Sequence, residues 1–153
     1  MIKVYKFRDI NEAEHFLNGG IIGGDVLNSQ QPGVSGLAGN TLTFSAPAGH
    51  VDFVAGANGD YLLFSEIKAQ IETALGDTNI RVVAFGTRIG FIHPTAASAI
   101  ALDSTDEIAK AILGFAKNKA AAGKKYGAVA GTPPALIEAY APNDGSHVIF
   151  TVE

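Results

Sequence analysis

Cysteine is absent from this chain, which excludes disulfides, thiolate zinc sites, iron–sulfur clusters and cysteine nucleophiles. Tryptophan is absent as well, and charge is sparse: only 17% of residues are Asp, Glu, Lys or Arg, against about 25% in an average soluble domain. No apolar run approaches the ~20 residues that cross a bilayer as a helix. The opening residues, MIKVYKFRDINEAEHF, lack the apolar stretch of about 7–15 residues that a secretory signal needs. The expectation is a protein made and assembled inside a cell. With 11 basic against 15 acidic residues the net charge is −4, which argues against nucleic-acid binding by bulk charge.

What is there suits one folded domain over 1–153. The chain has 153 residues, about one domain's worth, and is 47% hydrophobic with a mean hydropathy of +0.20, too apolar for intrinsic disorder. Residues 2–8 alternate as a strand, with Tyr5 and Phe7 on one face. A helix over 10–18 follows, capped by Asp9 with Glu12 and stopped at Gly19, its inward stripe being Ala13, Phe16 and Leu17. Residues 19–40 hold seven glycines and a proline, which predicts a long extended arm touching down only at Ile21 and Ile22.

Two strands, 41–45 and 50–55, precede a helix to Leu75 that Ser65 is expected to cap, with Ile67, Ile71, Ala74 and Leu75 inward. Residues 80–93 predict a hairpin turning at Gly86-Thr87. A short strand at 99–102 leads to a capping box, Ser104 with Glu107, and a helix through Phe115 in which Gly114 marks a close approach. Strands are expected near 126–130, 136–140 and 147–152. The sum is an α+β fold of antiparallel hairpins with two to three short amphipathic helices and the Gly-rich arm.

Catalytic patterns fail one by one. His15, His50, His93 and His147 are dispersed, without metal-binding spacing, and His15 reads as an exposed helix flank. The Gly-Lys at 123–124 lacks the earlier glycine and the following Ser or Thr of a phosphate loop. Ser35 has Leu37 where a nucleophile elbow needs glycine, and no dinucleotide fingerprint lies among the glycines. The carboxylates Glu12, Glu14, Asp103, Asp106 and Glu107 cluster at helix starts, where they complement the dipole. The reading is a non-enzyme without metal or cofactor.

One charge feature stands out. Lys110, Lys117, Lys119, Lys124 and Lys125 fall in sixteen residues that hold no acid, leaving six positive charges against 15 negative ones elsewhere. They read either as a solvated helix end or as a basic docking patch.

The stretches NTLTFSAPAGHVDFVAG, YLLFSEIKAQIETAL, IRVVAFGTRIGFIHP and SAIALDSTDEIAKAILGF form a cadence of hairpin, helix, hairpin, strand and helix. Over roughly residues 40–116 this resembles a small module of bacteriophage virion proteins, and flagellar hook-associated proteins carry a similar arrangement. Flagellar proteins are disfavoured because their long terminal heptad helices are missing. The resemblance implies a virion structural protein, either a capsid decoration (cement) protein or a small tail or neck component. Its partners would be the major capsid protein or tail and neck subunits, in a homo-oligomer or symmetric assembly, with no membrane and no nucleic acid. Three contact elements are expected: the arm with Ile21 and Ile22, the lysine patch, and an exposed edge strand at either terminus. A small ligand- or partner-binding module stays open as the alternative.

Overall fold

A computed structural model describes residues 1–28, 30–93, 99–121, 135–140 and 143–152. The start follows the local signals closely. Strand β1 (Ile2–Phe7) leads into helix α1 (Ile10–Asn18). The Asp9 carboxylate accepts the Glu12 N–H at 3.0 Å, while Glu12 reaches back to the Arg8 N–H at 2.9 Å and to its guanidinium at 2.8 and 3.0 Å. Gly19, at φ 81°, turns the chain out of the helix and donates to the His15 carbonyl at 3.0 Å.

The glycine-rich segment is no arm. Strand β2 (Gly20–Asp25) lies beside β8 (Arg88–Ile92), which pairs in turn with β7 (Arg81–Phe85) across the Gly86-Thr87 turn. Strand β3 (Gly33–Ser35) pairs with β6 (Tyr61–Leu63), and Ile21, Leu27, Val34 and Leu37 are buried. The physical reason is crowding. A Cβ on Gly20 would stand 2.4 Å from the Phe91 carbonyl oxygen, and one on Gly33 would stand 2.5 Å from that of Leu62. These glycines serve close backbone approach, where the expectation took them as a sign of looseness.

Strands β4 (Thr41–Ala46) and β5 (Ala48–Asp52) form a hairpin, joined by β9 (Ile100–Leu102) and β10 (Ala120–Ala121) in a four-stranded sheet ordered β10-β9-β4-β5. Helix α2 (Phe64–Leu75) buries Ile67, Ile71 and Leu75, while Ala74 is exposed. Ser65 is not its cap. Strand β6 runs straight into the helix, so Leu63 is the capping position and the Glu66 carboxylate accepts its N–H at 3.0 Å. Helix α3 (Glu107–Ile112) likewise starts two residues later than Ser104 suggested. Asp106 accepts from Ile108 and Ala109 with one oxygen and from Thr41 of β4 with the other, at 2.9–3.1 Å. One carboxylate thus satisfies three donors, which a serine hydroxyl cannot do. Ser104 is buried behind it, and its N–H donates to the Asn118 side chain at 2.9 Å. Gly114 lies beyond the helix, not within it: at φ 91° it reverses the chain against Gly24, whose N–H donates to its carbonyl at 2.8 Å.

Strands β11 (Ala135–Tyr140) and β12 (His147–Val152) complete a fourth sheet, ordered β1-β12-β11. Its register runs from Ile2 opposite Val152 to Phe7 opposite His147. Strand β12 is therefore central, with β1 and β11 at the edges among the described residues; the strand expected near 126–130 lies outside the described residues. Tyr5 and Phe7 pack on Phe16 of α1 with ring centres 4.6 and 5.0 Å apart. Helix α1 ties this sheet to the rest through the Glu14–Arg81 ion pair and the His15–Phe85 edge contact at 5.9 Å. The whole is broadly α+β, antiparallel, with three helices among the described residues and no closed barrel.

Candidate functional site

Two adjoining hollows mark the most developed surface feature. The larger, about 590 Å³, is walled by Phe7 and Arg8 after β1, by Glu12, His15 and Phe16 of α1, by Ile22 of β2, and by Phe85 and Arg88 of the β7–β8 hairpin. The second, about 480 Å³, runs along Gly23 and Gly24 to Gly114 and the segment 115–119. Both share Ile22 and Arg88, so together they make one groove, aromatic at one end and basic at the other.

Local rules place each wall. Residues 12, 15 and 16 share a helix face because they stand three and four apart. Phe7 ends the inward face of β1, and Ile22 points opposite to Ile21 because a strand alternates. Ile21 is consequently core, 2% exposed, and Ile22 lines the groove.

Charge at the aromatic end is already paired. Arg8 and Glu12 meet at 2.8 Å, and the Arg8 hydrogen bond holds the Glu12 carboxyl below its ordinary range. Arg88 reaches Asp25 at 3.4 Å, and Asp25 is held low first by the Thr87 hydroxyl, which donates at 2.5 Å. His15 is half-buried, contrary to the exposed flank expected. Burial lowers its pKa below the usual imidazole range and Lys119 adds to this, against a hydrogen bond to the Gly20 backbone.

The basic end carries Lys117 and Lys119, both exposed. Lys119 Nζ donates to the Ile22 carbonyl at 2.9 Å. Lys110 does not belong with them: its side chain is 4% exposed, and its ammonium meets Glu107 one turn back at 2.9 Å. The short helix lies on the core, so the aliphatic stem is covered. Lys124 and Lys125 lie outside the described residues. The structure thus brings together Ile22, Lys117 and Lys119 of the expected contact residues, and sends Ile21 and Lys110 inward.

Sequence reasoning missed the Phe7–Phe16–Phe85 wall, because its three rings come from three elements. The hollow offers aromatic surface together with the His15 imidazole and the paired Arg8 and Glu12. Among the described residues no group of three metal-ligating side chains converges, and no helix is long and apolar enough to cross a membrane. A second surface is the outer face of the terminal sheet, where Ile2 and Val4 are 64% and 60% exposed. Searches of family models, curated proteins and solved structures return no match to this chain.

Proposed function

We propose that this chain is a non-enzymatic structural protein of a bacteriophage virion, a decoration or cement protein that binds the assembled capsid. The observation that carries the reading is the terminal sheet: β1 is an edge strand whose Ile2 and Val4 face solvent. The end strand of a sheet, as β1 is among the described residues, beside exposed apolar side chains is a template for a neighbouring subunit. The virion-like cadence over residues 40–116 and the low charge agree with a surface covered by neighbours. Its partner is then the major capsid protein, and its place is the virion, assembled in the bacterial cytoplasm.

Placement in the tail or neck fits the same observations. A small ligand-binding module is the second reading, favoured by the aromatic hollow.

Light scattering of the purified protein, followed by co-sedimentation with purified particles, tests the proposal. Stoichiometric binding of a monomer or small oligomer to capsids supports decoration. A ring, or a few copies per particle, moves it to the neck or tail. A species indifferent to particles overturns the virion reading.

A further inference from the structure

The groove deepens that reading, and the inference rests on it only for where the partner resides. Of the four cations on its walls, Arg8 and Arg88 are paired with Glu12 and Asp25, and Lys117 and Lys119 stand apart from them, on a chain whose net charge is −4. Among the described residues no carboxylate lies within ion-pair reach of Lys117 or Lys119. Positive charge is therefore concentrated and left unanswered at one end of a groove on an acidic molecule. At the other end three phenylalanine rings stand half-buried around a hollow of about 590 Å³, room for a large side chain. The second hollow is lined in part by the backbone of Gly23, Gly24 and Gly114, whose missing side chains leave room for one another's close approach. Both hollows are open clefts and not enclosed cavities, which suits a segment of a partner protein better than a fully enclosed small molecule.

We infer that this groove seats an acidic, extended segment of a partner protein. One aromatic side chain of that segment anchors between Phe16 and Phe85, and its carboxylates face Lys117 and Lys119. The anchor supplies buried apolar area at the aromatic end, while the charge pairs set orientation and speed encounter.

The probe is a random copolymer of glutamate and tyrosine, which samples every spacing of acid and ring, with polyglutamate as the charge-only control. The copolymer is expected to bind about tenfold more tightly than polyglutamate, and the exposed double reversal K117E/K119E to weaken it about tenfold. Amide shifts are expected at Phe16, Ile22 and Phe85 on titration. Equal binding of the two polymers, an unaffected double variant, or shifts confined to other surfaces overturns the groove assignment. So does failure of the copolymer to bind.

The same variant separates this inference from the virion reading. If wild-type protein and K117E/K119E co-sediment equally with particles, the groove assignment falls and the virion reading stands. If neither sediments, the virion reading falls, and the copolymer titration still decides the groove.

Discussion

Two sides of α1 look onto two differently built regions, Phe16 onto the terminal sheet and Glu14 and His15 onto the body. On one side the body between Ile21 and Phe115 closes on itself: Leu42, Leu62, Ile67, Ile71, Ile80, Ile89 and Phe91 are fully buried in a single cluster. On the other side the sheet β1-β12-β11 contributes nothing to that cluster among the described residues. It buries Ile149 and Thr151 on the face toward α1 and leaves Ile2 and Val4 on the other face in water. Strands of similar length and composition thus have different fates. The body buries its apolar residues in its own core, whereas the terminal sheet leaves part of its own in water.

Truncation in the two regions sharpens this contrast most. Phe91 stacks on Phe115 at 5.3 Å and meets Phe44 edge-on at 5.2 Å, so Phe91→Ala is expected to cost about 3–5 kcal/mol in urea denaturation.

Next in size is the cap that joins α3 to β4. Asp106→Ala removes acceptors from three backbone N–H groups and is expected to cost about 1–2 kcal/mol. Those bonds, from Ala109 foremost, hold the Asp106 carboxyl below its ordinary 3.8. The unfolded chain then binds the proton more readily. The stability from Asp106 is present above pH 3.8 and is lost as pH falls through the lowered folded value, and Asp106→Asn should flatten that acid limb.

The link between the regions is weaker. Glu14→Gln breaks the half-exposed pair with Arg81 and is expected to cost roughly 0.5–1 kcal/mol. Hydrogen exchange should then accelerate in β1 and β12 more than in β7 and β8. Equal acceleration would mean that the two regions open as one unit.

His15 adds a pH signature of its own. Its folded pKa lies below 6.5, chiefly from burial, with Lys119 facing it from beside β10, Arg88 from the hairpin and Glu12 on its own helix. Protonation therefore favours the unfolded chain. Stability is full above pH 6.5 and declines as pH drops from there toward the folded value, and His15→Gln should remove that slope from thermal melts. Smallest in stability is Val4→Ser, expected to change it by less than about 0.5 kcal/mol because the side chain is already in water. Under the virion reading it should nonetheless reduce co-sedimentation with particles.

Legibility in the sequence followed the range of the interactions. Helix α1 came out at its observed bounds and the hairpin turning at Gly86-Thr87 within one residue of its own, because a cap carboxylate, a stop glycine and a two-residue turn all act within a few positions. The segment 19–40 was misread for the opposite reason. Whether a glycine marks freedom or crowding depends on what stands 2.5 Å from its missing Cβ, and for Gly33 that is Leu62, far along the chain. Ser104 lost to Asp106 because the decisive third donor, Thr41, belongs to another element. In the site, Lys117 and Lys119 were visible as charge, whereas the hollow beside them exists only once β1, α1 and β7 have been brought together.

The pairing of Ile2 with Val152 has a consequence in time. During synthesis β1 emerges with no strand to pair with until residues 147–152 exist, although every residue of the central cluster, down to Phe115, has been made before then. The body can therefore collapse on the ribosome while β1 and α1 wait, and closure of the β1-β12-β11 sheet is expected to be the later, non-local step. A surface finished last is also the surface whose readiness reports that the rest is folded, so an assembly that recruits through β1 would take up only finished copies.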